Sequence, residues 1–314
     1  MIVSVRTRGI GGAVAVFAAM ACRDTNIVAP TGGNDAGGVI VFASNRSDNN
    51  FEIYRIGADG QGVRRLTTAR EFNDRAPVLS PDGARIAWER EISTSGGDLT
   101  AVEIWTMNAD GSDPRVAVRN GSFNRGPSWG PAGEIAFASR VTGSDQIYRL
   151  DAGASEPVRL TSTGAADQHP RFSPDGRRIV FQSNRALDFD IYVMSADGTG
   201  AQNLTQLGGD DRFPTWTPDG TRIVWTRFES VANGFDLYSV SASGGAATVV
   251  VATPFNELAP SVSPDGRSVV YQTDRAPPFG LYIAPLAGGE GRPLRAIDAV
   301  GSGSDLGPWW GLAR

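Results

Sequence analysis

Short hydrophobic runs recur along the chain from Val39 onward, and glycine, proline or aspartate separates each run from the next. In each repeat a run such as Ile179-Val180-Phe181 is followed by one with an aliphatic–aromatic centre, such as Ile191-Tyr192. β-branched and aromatic residues suit pleated, half-buried positions, whereas Pro-Asp-Gly and Ala-Asp-Gly supply tight turns. The pattern therefore predicts many short strands and no long charged helix.

A proline separated by two residues from a Ser/Thr-Pro-Asp-Gly turn marks the repeated unit, and we refer to it as the marker proline. Successive marker prolines are 50, 43, 44, 46 and 48 residues apart. This period, with four predicted strands per unit, is typical of propeller blades. The sequence thus predicts an all-β fold, a six-bladed β-propeller of four-stranded antiparallel blades. The marker prolines, two of them in degraded or truncated copies, are Pro77, Pro127, Pro170, Pro214, Pro260 and Pro308.

The order of strands predicts how the ring closes. The repeat region begins with the second strand of a blade at Val39–Phe42 and ends with a first strand at Pro308–Trp310. We expect the C-terminal strand to pair beside the N-terminal one, which closes the ring and hides sheet edges that would favour aggregation. Residues 39–312 are therefore predicted to form one propeller domain.

The repeat is similar to the WD-like PD repeat of TolB-type propellers, most closely at Thr215–Gly220 and Arg178–Gly198. The resemblance covers roughly residues 39–312. It implies a non-enzymatic binding scaffold of the bacterial cell envelope that docks a protein or small ligand on its loop face. We expect the N-terminal α/β domain of TolB itself to be absent from this chain. Related propellers also precede peptidase domains in some enzymes.

The N-terminal segment has the pattern of a secretory signal. Arg6 and Arg8 give a positive start, and Ile10–Ala21 is an uncharged run of small and apolar residues. Twelve residues are too few for a helix that spans a bilayer, which needs roughly 20. We therefore interpret residues 1–21 as a signal peptide and residues 22–38 as a flexible linker.

The only cysteine directly follows this run. Ala19-Met20-Ala21-Cys22 resembles a bacterial lipobox, in which the cysteine is lipidated, and it also fits an ordinary A-x-A cleavage site at the same bond. The sequence therefore predicts an exported protein, either a periplasmic or outer-membrane-anchored lipoprotein attached through Cys22 or a secreted one.

Composition narrows the chemistry. One histidine and one cysteine cannot build a zinc cluster or a disulfide framework. The formal net charge of −5 argues against a general nucleic-acid binder. We expect a monomer without a cofactor. The one metal ion that we consider is calcium, at the acidic positions described next.

The candidate binding site is identified by a fixed position in each repeat. The residue three places before the marker proline is acidic in five of six repeats. In a four-stranded meander this position lies where the chain crosses to the innermost strand of the next blade, on the face of the variable loops. The six side chains are predicted to form an acidic ring at one mouth of the channel. They are Asp74, Asn124, Asp167, Asp211, Glu257 and Asp305.

Three interpretations of the acidic ring stay open. It could dock a protein, or it could bind a cation such as calcium, which takes six to eight oxygen ligands. It could also be structural, with its carboxylates capping backbone N–H groups or pairing with arginines that end the second strands. Those arginines are Arg46, Arg140, Arg185, Arg227 and Arg275.

An enzymatic interpretation is the alternative to a scaffold. Gly126–Gly130 fits G-x-S-x-G, the nucleophile elbow of α/β-hydrolases, and His169 is the only histidine that could serve as a base. The segment is a degraded copy of the marker, so we expect a strand there and assign no catalytic residue. A propeller lyase or hydrolase with its site at the acidic ring, or a partner subunit of a peptidase or transporter, are the remaining alternatives.

Overall fold

The computed structural model describes residues 37–47, 50–206, 209–230, 234–275, 278–294 and 303–313. The described part of the chain contains 24 β-strands and no helix, and the strands form six four-stranded antiparallel sheets. These residues lie within one compact unit, Asp35–Arg314. The six-bladed, all-β architecture is confirmed. Residues 1–21, Cys22 and most of the predicted linker lie outside the described residues.

The strands follow the sequence repeat. In chain order they are β1 (Val39–Ser44), β2 (Glu52–Gly57), β3 (Arg64–Arg65), β4 (Asn73–Leu79), β5 (Arg85–Ser93), β6 (Leu99–Asn108), β7 (Arg115–Val118), β8 (Asn124–Trp129), β9 (Ile135–Ser139), β10 (Gln146–Leu150), β11 (Val158–Arg159), β12 (Asp167–Phe172), β13 (Arg178–Ala186), β14 (Asp188–Ser195), β15 (Gln202–Asn203), β16 (Asp210–Trp216), β17 (Arg222–Ser230), β18 (Gly234–Ser241), β19 (Thr248–Val251), β20 (Glu257–Val262), β21 (Ser268–Thr273), β22 (Gly280–Pro285), β23 (Arg292–Pro293) and β24 (Asp305–Gly311). Blade 1 has the order β24-β1-β2-β3, and blades 2 to 6 each use four consecutive strands.

The C-terminal strand closes the ring as predicted. β24 pairs antiparallel with β1, and Trp310 lies opposite Ile40. Trp310 is buried in a cluster that includes Phe42 of blade 1 and Val270 of blade 6. The last strand therefore completes the N-terminal blade and packs it against its neighbour. The described residues form no helix long and apolar enough to cross a membrane.

An aromatic pair lies at the centre of each blade, which explains the recurring apolar runs of the sequence. The aromatic residue of the second strand packs against that of the third, with ring centroids 5.7 to 6.2 Å apart. All six second-strand rings are fully buried. Pairs of this kind contribute about 0.5–1.5 kcal/mol beyond their buried area. The pairs are Phe42–Tyr54, Trp88–Trp105, Phe137–Tyr148, Phe181–Tyr192, Trp225–Tyr238 and Tyr271–Tyr282.

The Pro-Asp-Gly turns define one face of the propeller, the turn face. In blade 4 the Ser173 hydroxyl donates to Asp175 Oδ1 at 2.5 Å, and the Arg177 N–H donates to the same oxygen at 3.1 Å. These two bonds hold the pKa of Asp175 below its usual value. Gly176 completes the turn with a φ of 70°. The connections between second and third strands lie at the other end of the strands, on the loop face.

Candidate functional site

The six residues of the predicted acidic ring begin the innermost strands on the loop face, but their side chains are buried. Each has a relative exposure of 1% or less, and none is among the residues that line the channel cavity. A buried carboxylate is costly unless it is paired or hydrogen-bonded, so its partners decide its role. The six are Asp74, Asn124, Asp167, Asp211, Glu257 and Asp305.

Four of these carboxylates form ion pairs with an arginine of their own blade that lies in the second strand or, for Arg46, two residues after it. The Asp211 pair shows the geometry: Arg227 Nε and Nη2 donate to the two carboxylate oxygens at 2.7 and 2.8 Å, and Trp225 Nε1 donates at 2.8 Å. The four guanidinium groups also lie over the aromatic pair of their blade. These contacts hold the loop-face end of each blade together. The pairs are Arg90–Asp74, Arg185–Asp167, Arg227–Asp211 and Arg46–Asp305.

Two of the arginines proposed as partners have other contacts. Arg140 pairs with Asp145 at 2.8 Å, and Arg275 donates to the Gly291 carbonyl at 3.4 Å. In blade 3 the ring position is Asn124, whose Nδ2 donates to the Val102 carbonyl at 2.9 Å.

Among the described residues, Glu257 of blade 6 forms no ion pair with an arginine. It accepts a hydrogen bond from Thr253 Oγ1 at 2.5 Å, and its carboxyl group lies beside that of Asp236 in blade 5. Burial, with Asp236 beside it, raises the pKa of Glu257 to about 7. Burial also raises the pKa of Asp236. Burial and the neighbouring carboxyl group therefore favour the protonated form of Glu257 below about neutral pH.

Among the described residues, no group of three or more His, Cys, Asp or Glu side chains is arranged to hold a metal ion. Calcium binding at the acidic ring stays a prediction.

A bulge in every innermost strand shapes the channel. The residue before each marker proline has a φ between 47° and 63°, and the strand register shifts at that point. Proline restricts the residue before it, and a positive φ is strained for a bulky side chain such as His169 or Phe213. The six bulge residues are Ala76, Gly126, His169, Phe213, Ala259 and Gly307.

The bulges surround a cavity of about 250 Å³ in the loop-face half of the channel. Three arginines line it, Arg75, Arg125 and Arg171, and Glu89 is the carboxyl among the lining residues. Arg75 pairs with Glu91 at 3.2 Å, whereas Arg125 is exposed and forms no ion pair among the described residues. The cavity is therefore positively charged and suits an anionic ligand.

Burial shifts the pKa of two other groups that line the cavity, His169 and Glu89. Burial, together with the nearby Arg171 and Arg125, lowers the pKa of His169 to about 3, so its ring is neutral at pH 7. Burial raises the pKa of Glu89, although it accepts a hydrogen bond from Gly126 N at 2.6 Å.

Comparison with known proteins agrees with this architecture. Residues 103–310, more than half of the chain, match the family described as TolB beta propeller domain. The chain belongs to the TolB β-propeller family.

The TolB relatives are longer proteins. A Protein TolB homolog of Chlorobium chlorochromatii is 38% identical over 149 residues, which are 48% of this chain and 32% of the relative. The Tol-Pal system protein TolB of Bordetella pertussis is 31% identical over 137 residues, 43% of this chain and 30% of the relative. The matches thus span about a third of these relatives.

Solved structures show the same fold. TolB from Acinetobacter baumannii has a TM-score of 0.75 at 22% identity, covering 90% of this chain and 68% of that one. An oligogalacturonate lyase in complex with manganese has a TM-score of 0.56 at 16% identity, covering 81% and 73%. At these identities the likeness concerns the fold alone.

The repeat also contains a sequence pattern that indicates the arginine-lined cavity, directly beside the acidic positions. The residue two places before the marker proline is arginine in three of six repeats, at Arg75, Arg125 and Arg212. These positions directly follow the acidic ring, and the bulge brings the first two to the channel.

Proposed function

We propose that the protein is an exported binding scaffold of the bacterial cell envelope, and that the loop-face cavity of its channel docks a partner protein through an acidic segment. One observation carries the proposal: Arg75, Arg125 and Arg171 line this cavity against the single lining carboxyl, Glu89. Relatives named TolB, one of them a Tol-Pal system protein, support the envelope assignment. Cys22 remains the proposed lipid attachment point.

The proposed binding role depends on the charged side chains that form no ion pair among the described residues. Four carboxylates of the acidic ring are already paired with partly buried arginines, so the ring offers little to an incoming cation. Arg125 is exposed and has no ion pair among the described residues, so its guanidinium is available to a carboxylate of a partner. A guanidinium binds carboxylate in a two-point geometry that favours specificity. Rigid blades hold these groups in place without the partner.

The enzymatic alternative gains no support from the geometry of G-x-S-x-G. Ser128 lies within β8, and its hydroxyl accepts a hydrogen bond from Phe172 N at 3.1 Å. His169 lies in the bulge of blade 4 with its ring against Phe213, at a centroid distance of 4.7 Å. A nucleophile elbow needs a strand–turn–helix, which the described residues do not form here.

The test is capture of partners from native envelope extracts by the full-length protein and two charge-reversal variants. Arg125→Glu changes the cavity, and Arg177→Glu changes an exposed arginine on the turn face. We expect Arg125→Glu to weaken capture of a specific partner at least tenfold and Arg177→Glu to leave it unchanged. The wild-type interaction should also weaken with added salt. Equal capture by both variants would contradict the proposal.

A further inference from the structure

A second cavity, of about 280 Å³, opens on the turn face and is largely apolar. Two sets of repeated positions form its wall. The second residue after each marker proline is a large hydrophobic one, and the fourth is a proline in five blades and Leu312 in blade 1. We call this cavity the funnel. Its inner ring is Leu79, Trp129, Phe172, Trp216, Val262 and Trp310, and its outer ring is Pro81, Pro131, Pro174, Pro218, Pro264 and Leu312.

Five of the six hydroxyl groups among the residues that line the funnel form hydrogen bonds within the protein. Ser80, Ser173 and Thr217 donate to the aspartates of their own turns at 2.5 to 2.6 Å. Ser128 and Ser261 accept backbone N–H groups of the next blade at 3.1 and 2.9 Å. The wall therefore presents hydrocarbon and ring surface, so a ligand that lies against it should have an apolar body.

One cation lies at the narrow end of the funnel. Arg171 lines both cavities, and its guanidinium is 5.2 Å from the ring centroid of Trp309. Its Nη1 donates to the carbonyls of Gly126, Pro127 and Pro170 at 3.0 to 3.2 Å. No hydrogen bond of Nε or Nη2 joins it to another described residue. This edge of the guanidinium remains available to an anion.

The surroundings of Arg171 favour a bound anion. Burial lowers its pKa to about 10, so it stays charged at pH 7 without an ion-pair partner within the described part of the chain. The charge of Glu89 lies close enough to Arg171 to oppose the lowering of the Arg171 pKa. However, Glu89 faces the loop-face cavity and makes no ion pair with Arg171. A partly buried cation that lacks a counter-charge is stabilised by a carboxylate that can reach it.

We propose that the funnel binds a medium-chain fatty acid, whose hydrocarbon chain lies against the tryptophan and proline wall and whose carboxylate binds Arg171. The apolar wall and the single cation at its base match the two ends of such a molecule. The volume lies near the lower end for small-ligand pockets, which suits a medium chain. A peptide would instead need free hydrogen-bond partners along its backbone, which the occupied hydroxyls do not offer.

The test is a titration of the full-length protein with two matched probes, octanoate and octanol, followed by tryptophan fluorescence and calorimetry. The inner-ring tryptophans make the emission sensitive to the funnel. We expect octanoate to bind at least tenfold more tightly than octanol, because a hydrogen bond to a charged group adds to the burial of the chain. Between hexanoate and octanoate, affinity should rise about fourfold for each added methylene group.

Variants separate this site from the loop-face cavity. Arg171→Met should abolish the preference for octanoate over octanol, whereas Arg125→Glu should leave it unchanged. If Arg171→Met fails to fold, the comparison of the two probes on the wild-type protein still decides the matter. Equal affinity for both probes, no saturable binding of octanoate, or an affinity independent of chain length would overturn the proposal. Loss of partner capture by Arg125→Glu with octanoate binding intact would support both sites independently.

Discussion

At the scale of single residues, the loop face is held together by buried charges whose partners differ from blade to blade. Asp211 is 1% exposed and Arg227 is 13% exposed, so their pair is largely removed from water. Removing one partner of a buried ion pair leaves an uncompensated charge, which costs about 3–5 kcal/mol. A pair on the surface contributes about 0–1 kcal/mol.

This contrast gives a direct prediction. Asp211→Asn should lower the free energy of unfolding by about 3 kcal/mol, because Arg227 loses its carboxylate. The matched control is Asp151→Asn, which breaks the exposed pair with Arg149 and should cost less than about 1 kcal/mol. Urea denaturation of both variants measures the difference. A stabilised Asp211→Asn would instead indicate mutual repulsion within a binding ring.

The carboxyl pair of Glu257 and Asp236 predicts a pH dependence of stability. The pKa of Glu257 is raised to about 7 in the folded protein, above its ordinary value of 4.5. The folded state therefore holds a proton that the unfolded state releases, and the free energy of unfolding falls as pH rises between these values. Glu257→Gln should be more stable than the wild type at pH 8, and this advantage should shrink towards pH 5.

Melting temperatures of wild type and variant across this range provide the measurement. Glu290→Gln, at an exposed site, is the control and should follow the wild-type profile. A Glu257→Gln profile parallel to that of the wild type at every pH would argue against the raised pKa of Glu257.

At the scale of elements, the bulge before each marker proline is the feature that shapes the channel. The strained φ of a non-glycine residue there costs roughly 1–2 kcal/mol. At Ala259 the φ is 51° and the side chain is only a methyl group, so little packing is lost when it is removed.

Ala259→Gly should therefore raise the free energy of unfolding by about 1 kcal/mol. The matched control is Ala136→Gly in the buried strand β9, which should lower it by about 1 kcal/mol because glycine weakens a regular strand. Thermal and chemical denaturation would show the opposite signs. Destabilisation of equal size at both positions would mean that the bulge stores no strain.

Strands and turns could be predicted because their signals are local. The aliphatic–aromatic runs and Pro-Asp-Gly turns each specify an element through a few neighbouring residues, as Ile179-Val180-Phe181 does for β13. The direction of the acidic side chains could not be predicted in the same way. Asp211 points away from the channel because Arg227 lies opposite it on β17, and because the bulge after Arg212 resets the alternation of the strand. Both depend on pairing between strands.

At the scale of the whole molecule, the ring is held closed by β24. Its Trp310 is buried between blades 1 and 6, and loss of such an aromatic side chain costs about 3–5 kcal/mol. Total domain stability is only about 5–15 kcal/mol, so loss of the strand removes a large part of it.

Deletion of residues 305–314 should therefore leave an unfolded or aggregated protein. The control deletion of residues 312–314 starts after the end of β24 at Gly311 and should keep a normal melting temperature. Size-exclusion chromatography and circular dichroism distinguish the outcomes. A soluble, monomeric product of the longer deletion with an unchanged melting temperature would show that closure is dispensable.

The central claim is that a partner protein docks in the channel. Site-specific photocrosslinking in the native envelope tests this claim most directly. A photoreactive amino acid would replace Leu306, which lines the loop-face cavity, or Val158, which is 52% exposed on an outermost strand. We predict a crosslinked partner from position 306 that disappears when Arg125→Glu is added, and none from position 158. Crosslinks from position 158, with none from position 306, would contradict the account.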